Sequence, residues 1–118
     1  MSEISEKRAE IKERIDYEML CEGYPKQQVD ELVEIMVEVS ANRSPTIRLG
    51  RDADYPRAYV QERFDRLGYE HIEKVLDGIR ENTTRVMNTK AYLLSALFNA
   101  GNTLDNHYAM LVNHDMSQ

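Results

Sequence analysis

Helix breakers are scarce in this chain, with three prolines and five glycines among 118 residues. So few enforced stops, in a background of Glu, Lys, Arg and Leu, favour helix over sheet. Cysteine is scarcer still. Cys21 is the single thiol, which excludes an intramolecular disulfide and suits a reducing cytoplasm. A free cysteine of this kind behaves as a small apolar residue. No apolar run approaches the ~20 residues that a membrane-spanning helix needs. The opening stretch SEISEKRAEIKER is too charged for a signal or transit peptide. Neither HExxH nor paired Cys/His spacing occurs, and GxGxxG and the P-loop pattern are both missing. Metal and nucleotide binding therefore have no motif behind them. Of the histidines His71, His107 and His114, the last two fall on one helical face, but about 10 Å apart along its axis.

What is present is a globular composition. Apolar residues make up 42% and charged residues 31%, and a chain of this length buries a core without staples. The reading is one helical domain over residues 1–118. The net charge of −6 is unevenly spread. Residues 1–40 hold 11 acids and 5 bases, a net of −6. Residues 41–90 hold 8 acids and 10 bases, a net of +2. An acidic surface and a mildly basic one follow, and the overall sign argues against the whole domain neutralising a nucleic-acid backbone.

Periodicity places the elements. Ile4, Ile11 and Ile15 form a thin stripe on a helix over 2–15, interrupted by Arg8 on the same face and capped by Ser2 or Ser5. Asp16 stands as N-cap to a short helix carrying Tyr17, Leu20 and Cys21, stopped by Gly23 and Pro25. Lys26 to Asn42 carries Val29, Leu32, Val33 and Met36, widened by Ile35 and Val39, with Glu31, Glu34 and Glu38 outside. Thr46–Leu49 alternates, a Gly/Asp loop reverses the chain, and Tyr55-Pro56 follows, giving one small β-hairpin near residues 46–56. Pro56 opens a helix that runs to about 67, and Tyr69–Glu81 forms another with Ile72, Val75, Leu76 and Ile79 inward. Gly78 inside it marks either a close helix approach or a loose turn. Asn82–Thr84 turns the chain, and Asn88 or Thr89 caps the helix that ends near Ala100. Eight of the ten residues Ala91–Ala100 are apolar, so this helix reads as a central strut. A last helix spans Leu104 to about His114. The fold class is mainly α, a compact bundle of five to seven short helices with one β-hairpin.

Two sets of cations stand out. Arg80, Arg85 and Lys90 flank the turn before the central helix and could meet an anion at its N-terminus. Arg43, Arg48, Arg51 and Arg57 surround the hairpin and could touch a DNA backbone. A polar row, Asn88, Ser95, Asn99 and Asn102, edges the central helix and is a candidate partner surface. No catalytic, cofactor or metal residue is singled out.

Asp16-Tyr17 with Leu20, Val29-Asp30-Glu31, Thr46-Ile47-Arg48, Tyr55-Pro56, Arg63-Phe64, His71-Ile72-Glu73, Glu81-Asn82-Thr83-Thr84, Lys90-Ala91-Tyr92-Leu93-Leu94, Asn99-Ala100 and Val112-Asn113-His114-Asp115 fall in a shared register. Together they resemble the C-terminal domain of replication initiator protein A from plasmids and integrative conjugative elements of Firmicutes, a domain of unknown function. The likeness runs from about residue 11 to 115. It implies part of an initiator, without the winged-helix domain that binds origin DNA. It also implies kinship with DnaD-like domains that recruit host replication proteins such as primase, helicase or helicase loader. The expected function is therefore non-enzymatic protein interaction in the cytoplasm, without a cofactor or membrane. Accessory DNA binding through the hairpin and the Arg80, Arg85 and Lys90 edge is the alternative.

Overall fold

A computed structural model describes residues 3–49, 54–81 and 90–100. The described residues form six helices and one two-stranded antiparallel sheet. The order is α1 (Glu3–Arg14), α2 (Tyr17–Gly23), α3 (Lys26–Ala41), β1 (Thr46–Arg48), β2 (Asp54–Pro56), α4 (Arg57–Asp65), α5 (Tyr69–Glu81) and α6 (residues 90–100). This is the mainly α bundle with a hairpin that the periodicity predicts. The expected turn at 82–84, the cap at 88 or 89 and the helix from 104 lie outside the described residues.

The enclosed element is α3. Its buried side chains are Val29, Leu32, Val33, Ile35, Met36, Val37 and Val39. At 100° per residue they span an arc of about 200°, and α1, α2, α4 and α5 all pack on it. Glu31, Glu34 and Glu38 occupy the opposite, exposed side. The strut expected at 91–100 is instead one-sided. Leu93, Leu97, Phe98 and Ala100 are buried on α6, while Ala91 and Asn99 are exposed and Leu94 is half-buried. Alanine inflates an apolar count without requiring enclosure, which is why the sequence overstated this helix.

Helix α1 lies along α3 through Ile11 and Ile15, both buried. Ile4, the first member of the expected stripe, is 45% exposed. Arg8 is more than an interruption, since its Nε and Nη2 donate to Glu34 Oε2 and Oε1 at 2.6 and 2.9 Å and tie α1 to α3. Ser5 sits inside α1 and so is not its cap. Asp16 does occupy the N-cap position of α2, but by backbone geometry, at φ 57° and ψ 60°, with no side-chain capping bond. It is the one non-glycine residue with positive φ among the described residues. Asp tolerates that region better than most residues.

The hairpin pairs Thr46 with Pro56, Ile47 with Tyr55 and Arg48 with Asp54. It leans on α4, as two strands of this length must. Pro56 remains extended, at φ −55° and ψ 135°, and caps α4 rather than forming its first turn. Gly68 opens α5 with a reciprocal cap: its N–H donates to His71 Nδ1 at 3.0 Å, while its carbonyl accepts from Ile72 N–H at 3.2 Å. His71 thus takes the place that Glu or Gln holds in a capping box.

Among the described residues every buried side chain is apolar. Helix ends are closed from elsewhere in the chain. Arg14 on α1 donates to the Leu67 and Phe64 carbonyls at 2.9 and 3.1 Å, at the end of α4. Gln61 on α4 donates to the Val39 and Asn42 carbonyls, both at 3.0 Å, at the end of α3.

Leu97→Ala should cost about 2–5 kcal/mol in a denaturant titration, and Leu94→Ala about half that or less, because less area is reburied. A Cβ built at Gly78 meets nothing within 4 Å, so no close helix approach requires this glycine. Gly78→Ala should therefore stabilise the chain by about 0.5–1 kcal/mol, seen as a raised denaturation midpoint.

Candidate interaction surfaces

Arg51, Arg85, Asn88 and Asn102 lie outside the described residues. Arg80, Lys90, Arg48 and Asn99 fall in three places. Arg80 Nη2 donates to the Gly23 carbonyl at 2.7 Å and its guanidinium lies 4.5 Å from the centre of the Tyr24 ring, so it closes the end of α2. Lys90 Nζ pairs with Glu38 at 2.8 Å, and Arg48 reaches Asp54 across the hairpin at 3.9 Å. Those two side chains share a recess of about 260 Å³ floored by Ile35, Ile47 and Leu94. Asn99 is exposed beside a groove of about 180 Å³ between α5 and α6, next to Gly78, Tyr92 and Ala96. The structure therefore joins Arg48 with Lys90 and turns Arg80 towards α2.

A larger cleft, about 630 Å³, opens between the start of α1, the end of α3 and the start of α4. Lys7, Arg43 and Arg57 line it, with Glu3 as the one carboxylate among the described residues; Ile4, Val37 and Ala41 supply apolar surface. Its wall is fixed by hydrogen bonds. Gln61 holds the end of α3, Ser40 Oγ donates to the Val37 carbonyl at 2.8 Å, and Asn42 Oδ1 accepts from Ser44 N–H at 2.7 Å. Neither Arg43 nor Arg57 forms an ion pair with a described residue, and Lys7 reaches Glu10 only at 4.0 Å. The hairpin arginines pointed towards this place. Lys7 and Ile4 did not, because nothing in their spacing shows that the start of α1 comes to rest beside the end of α3.

A second group went unread as a unit. Tyr55, Tyr59 and Phe98 form a tilted cluster with centroids 5.0–6.0 Å apart. Arg63 lies 4.0 Å over the Phe98 ring, donates to Tyr59 Oη at 2.9 Å and donates to the Phe98 carbonyl at 3.0 Å. This stack fastens the hairpin, α4 and α6 together. Tyr55 and Arg63 are both among the residues on which the initiator resemblance rests, and both serve here as scaffold.

Ionisable contacts lock the helices around α3. Tyr17 Oη donates to Asp30, which also accepts from Lys26 at 3.3 Å. The Tyr17 hydrogen bond holds Asp30 below the usual carboxylate range and raises Tyr17. The Arg8 hydrogen bond likewise lowers Glu34. Tyr24 Oη donates to Asp77 at 2.6 Å. Burial first, and that bond second, push the Tyr24 phenol up to about 12.

A family model described as a family of unknown function, DUF6017, matches residues 1–118. The chain belongs to that family. No curated protein and no solved structure matches it. What can be said of this DUF6017 chain's surfaces therefore comes from its own geometry. Among its described residues no group of three His, Cys, Asp or Glu side chains is placed to hold a metal. No described helix is long and apolar enough to cross a membrane.

The folded chain keeps the Tyr24 proton up to about pH 12, whereas an unfolded chain releases it near pH ~10. This tyrosine therefore contributes stability that is fully present below pH ~10 and is lost as pH rises through its folded value. Tyr24→Phe should lower stability by about 1–2 kcal/mol at neutral pH. It should also flatten the decline between pH ~10 and ~12, measured as denaturant midpoints across that range.

Proposed function

We propose that this chain is a non-enzymatic protein-interaction domain of a plasmid or mobile-element replication initiator, recruiting host replication proteins such as primase, helicase or helicase loader. The observation that carries the interaction reading is the cleft between α1, α3 and α4. It sets exposed Ile4 and three cations around a wall held by side-chain hydrogen bonds to the backbone. A cleft combining apolar surface with placed charge is the usual form of a recognition site. The initiator context rests on the residues that resemble replication initiator protein A.

Accessory DNA binding is the second reading. Arg43 and Arg57 favour it, since neither forms an ion pair with a described residue. The acid pairing of Arg48 and Lys90 weakens the edge on which that reading first rested.

Pull-downs with purified primase, replicative helicase and helicase loader, run beside mobility shifts with single- and double-stranded DNA, separate the two. Retention of at least one replication protein is expected, with no shift at moderate salt. Retention of none removes the recruitment reading. A shift that weakens steeply with salt replaces it with the DNA reading.

A further inference from the structure

We infer that the cleft between α1, α3 and α4 docks an acidic protein segment bearing an apolar anchor residue. This deepens the protein-interaction reading and rests on it. Three features define the occupant. The first is charge: Lys7, Arg43 and Arg57 face one carboxylate, Glu3, in a chain whose net charge is −6. Three cations gathered in one cleft of a net-negative chain attract an acidic segment to that place, which selects both the place and the orientation of docking.

The second is apolar surface. Ile4 stands 45% exposed at the edge of the cleft, with the Val37 side of α3 beside it. Covering such a side chain with another is favourable at roughly 25 cal/mol per Å² of apolar area removed from water. A phosphate backbone would gain nothing from Ile4, whereas a peptide can cover it with an apolar side chain, so the lining favours a peptide over a nucleic acid. The third feature is readiness. Gln61 already ties the end of α3 to α4, and a preformed wall lowers the ordering cost of binding.

In the docked arrangement the partner's apolar side chain sits against Ile4 and Val37, and its carboxylates reach Lys7, Arg43 and Arg57. Carboxylate–guanidinium pairs of this kind are charge-assisted hydrogen bonds.

The test uses the full chain and fluorescence anisotropy. The probe is a labelled peptide with leucines set among glutamates; polyglutamate and a labelled single-stranded oligonucleotide are the comparisons. The leucine-bearing acidic peptide is expected to bind tightest. Arg43→Glu and Ile4→Ser should each weaken it roughly tenfold, as expected for loss of a contact worth about a factor of ten, with circular dichroism and thermal midpoint unchanged. Both substituted side chains are exposed, so loss of fold is not the expected cause. Equal binding of polyglutamate, equal binding by the variants, or tighter binding of the oligonucleotide would each overturn the inference. If replication proteins are retained equally by wild type and Arg43→Glu, the docking site fails while the recruitment reading stands. If the peptide binds as expected and no replication protein is retained, the site stands and the recruitment reading fails.

Discussion

The bundle depends on how its helices end. The last carbonyls of a helix have no partner within it, and a left-handed glycine is a common way to satisfy them. Among the described residues no glycine does so: none of Gly23, Gly68 and Gly78 takes a positive φ. Long polar side chains from other helices donate instead. Arg80 closes α2, Gln61 closes α3, Arg14 closes α4, and Arg63 reaches the Phe98 carbonyl in the last described turn of α6. These donors answer both a hydrogen-bonding need and the negative end of a helix dipole. They also fix the helices in register around the apolar arc of α3.

The cleft follows from the same device. Gln61 can reach the end of α3 only if the start of α4 lies beside it, and that placement makes one lip of the opening. The start of α1 makes the other, set by Ile11, Ile15 and the Arg8–Glu34 pair further along. Arg43 and Arg57 flank the hairpin, so they are carried to the same place. A surface that can bind is thereby mounted on helices whose relative positions are already determined.

Much of the fold was legible because it is local. The stripe Ile72, Val75, Leu76, together with Gly68 ahead of it, gave α5 its observed span of Tyr69–Glu81. The alternation of Thr46 to Leu49, followed by a Gly/Asp loop, located the hairpin. Long-range features escaped. Periodicity placed Ile4 inward with Ile11 and Ile15, but exposure depends on what stands opposite, and at Ile4 that is an open cleft. Arg80 looked like a free cation because its acceptor, the Gly23 carbonyl, is invisible in side-chain patterns. Lys7 and Arg43 lie on separate elements and share a site only once α1 lies on α3.

The end closures bear on how this chain acquires its structure. Arg14 and Leu67 are 53 residues apart, Arg80 and Gly23 are 57 apart, and Arg63 and Phe98 are 35 apart. Contacts of such separation must overcome loop-closure entropy before they stabilise anything. Until the distant donor docks, water serves these end carbonyls, and the Arg80 closure of α2 forms only once α5 has been made.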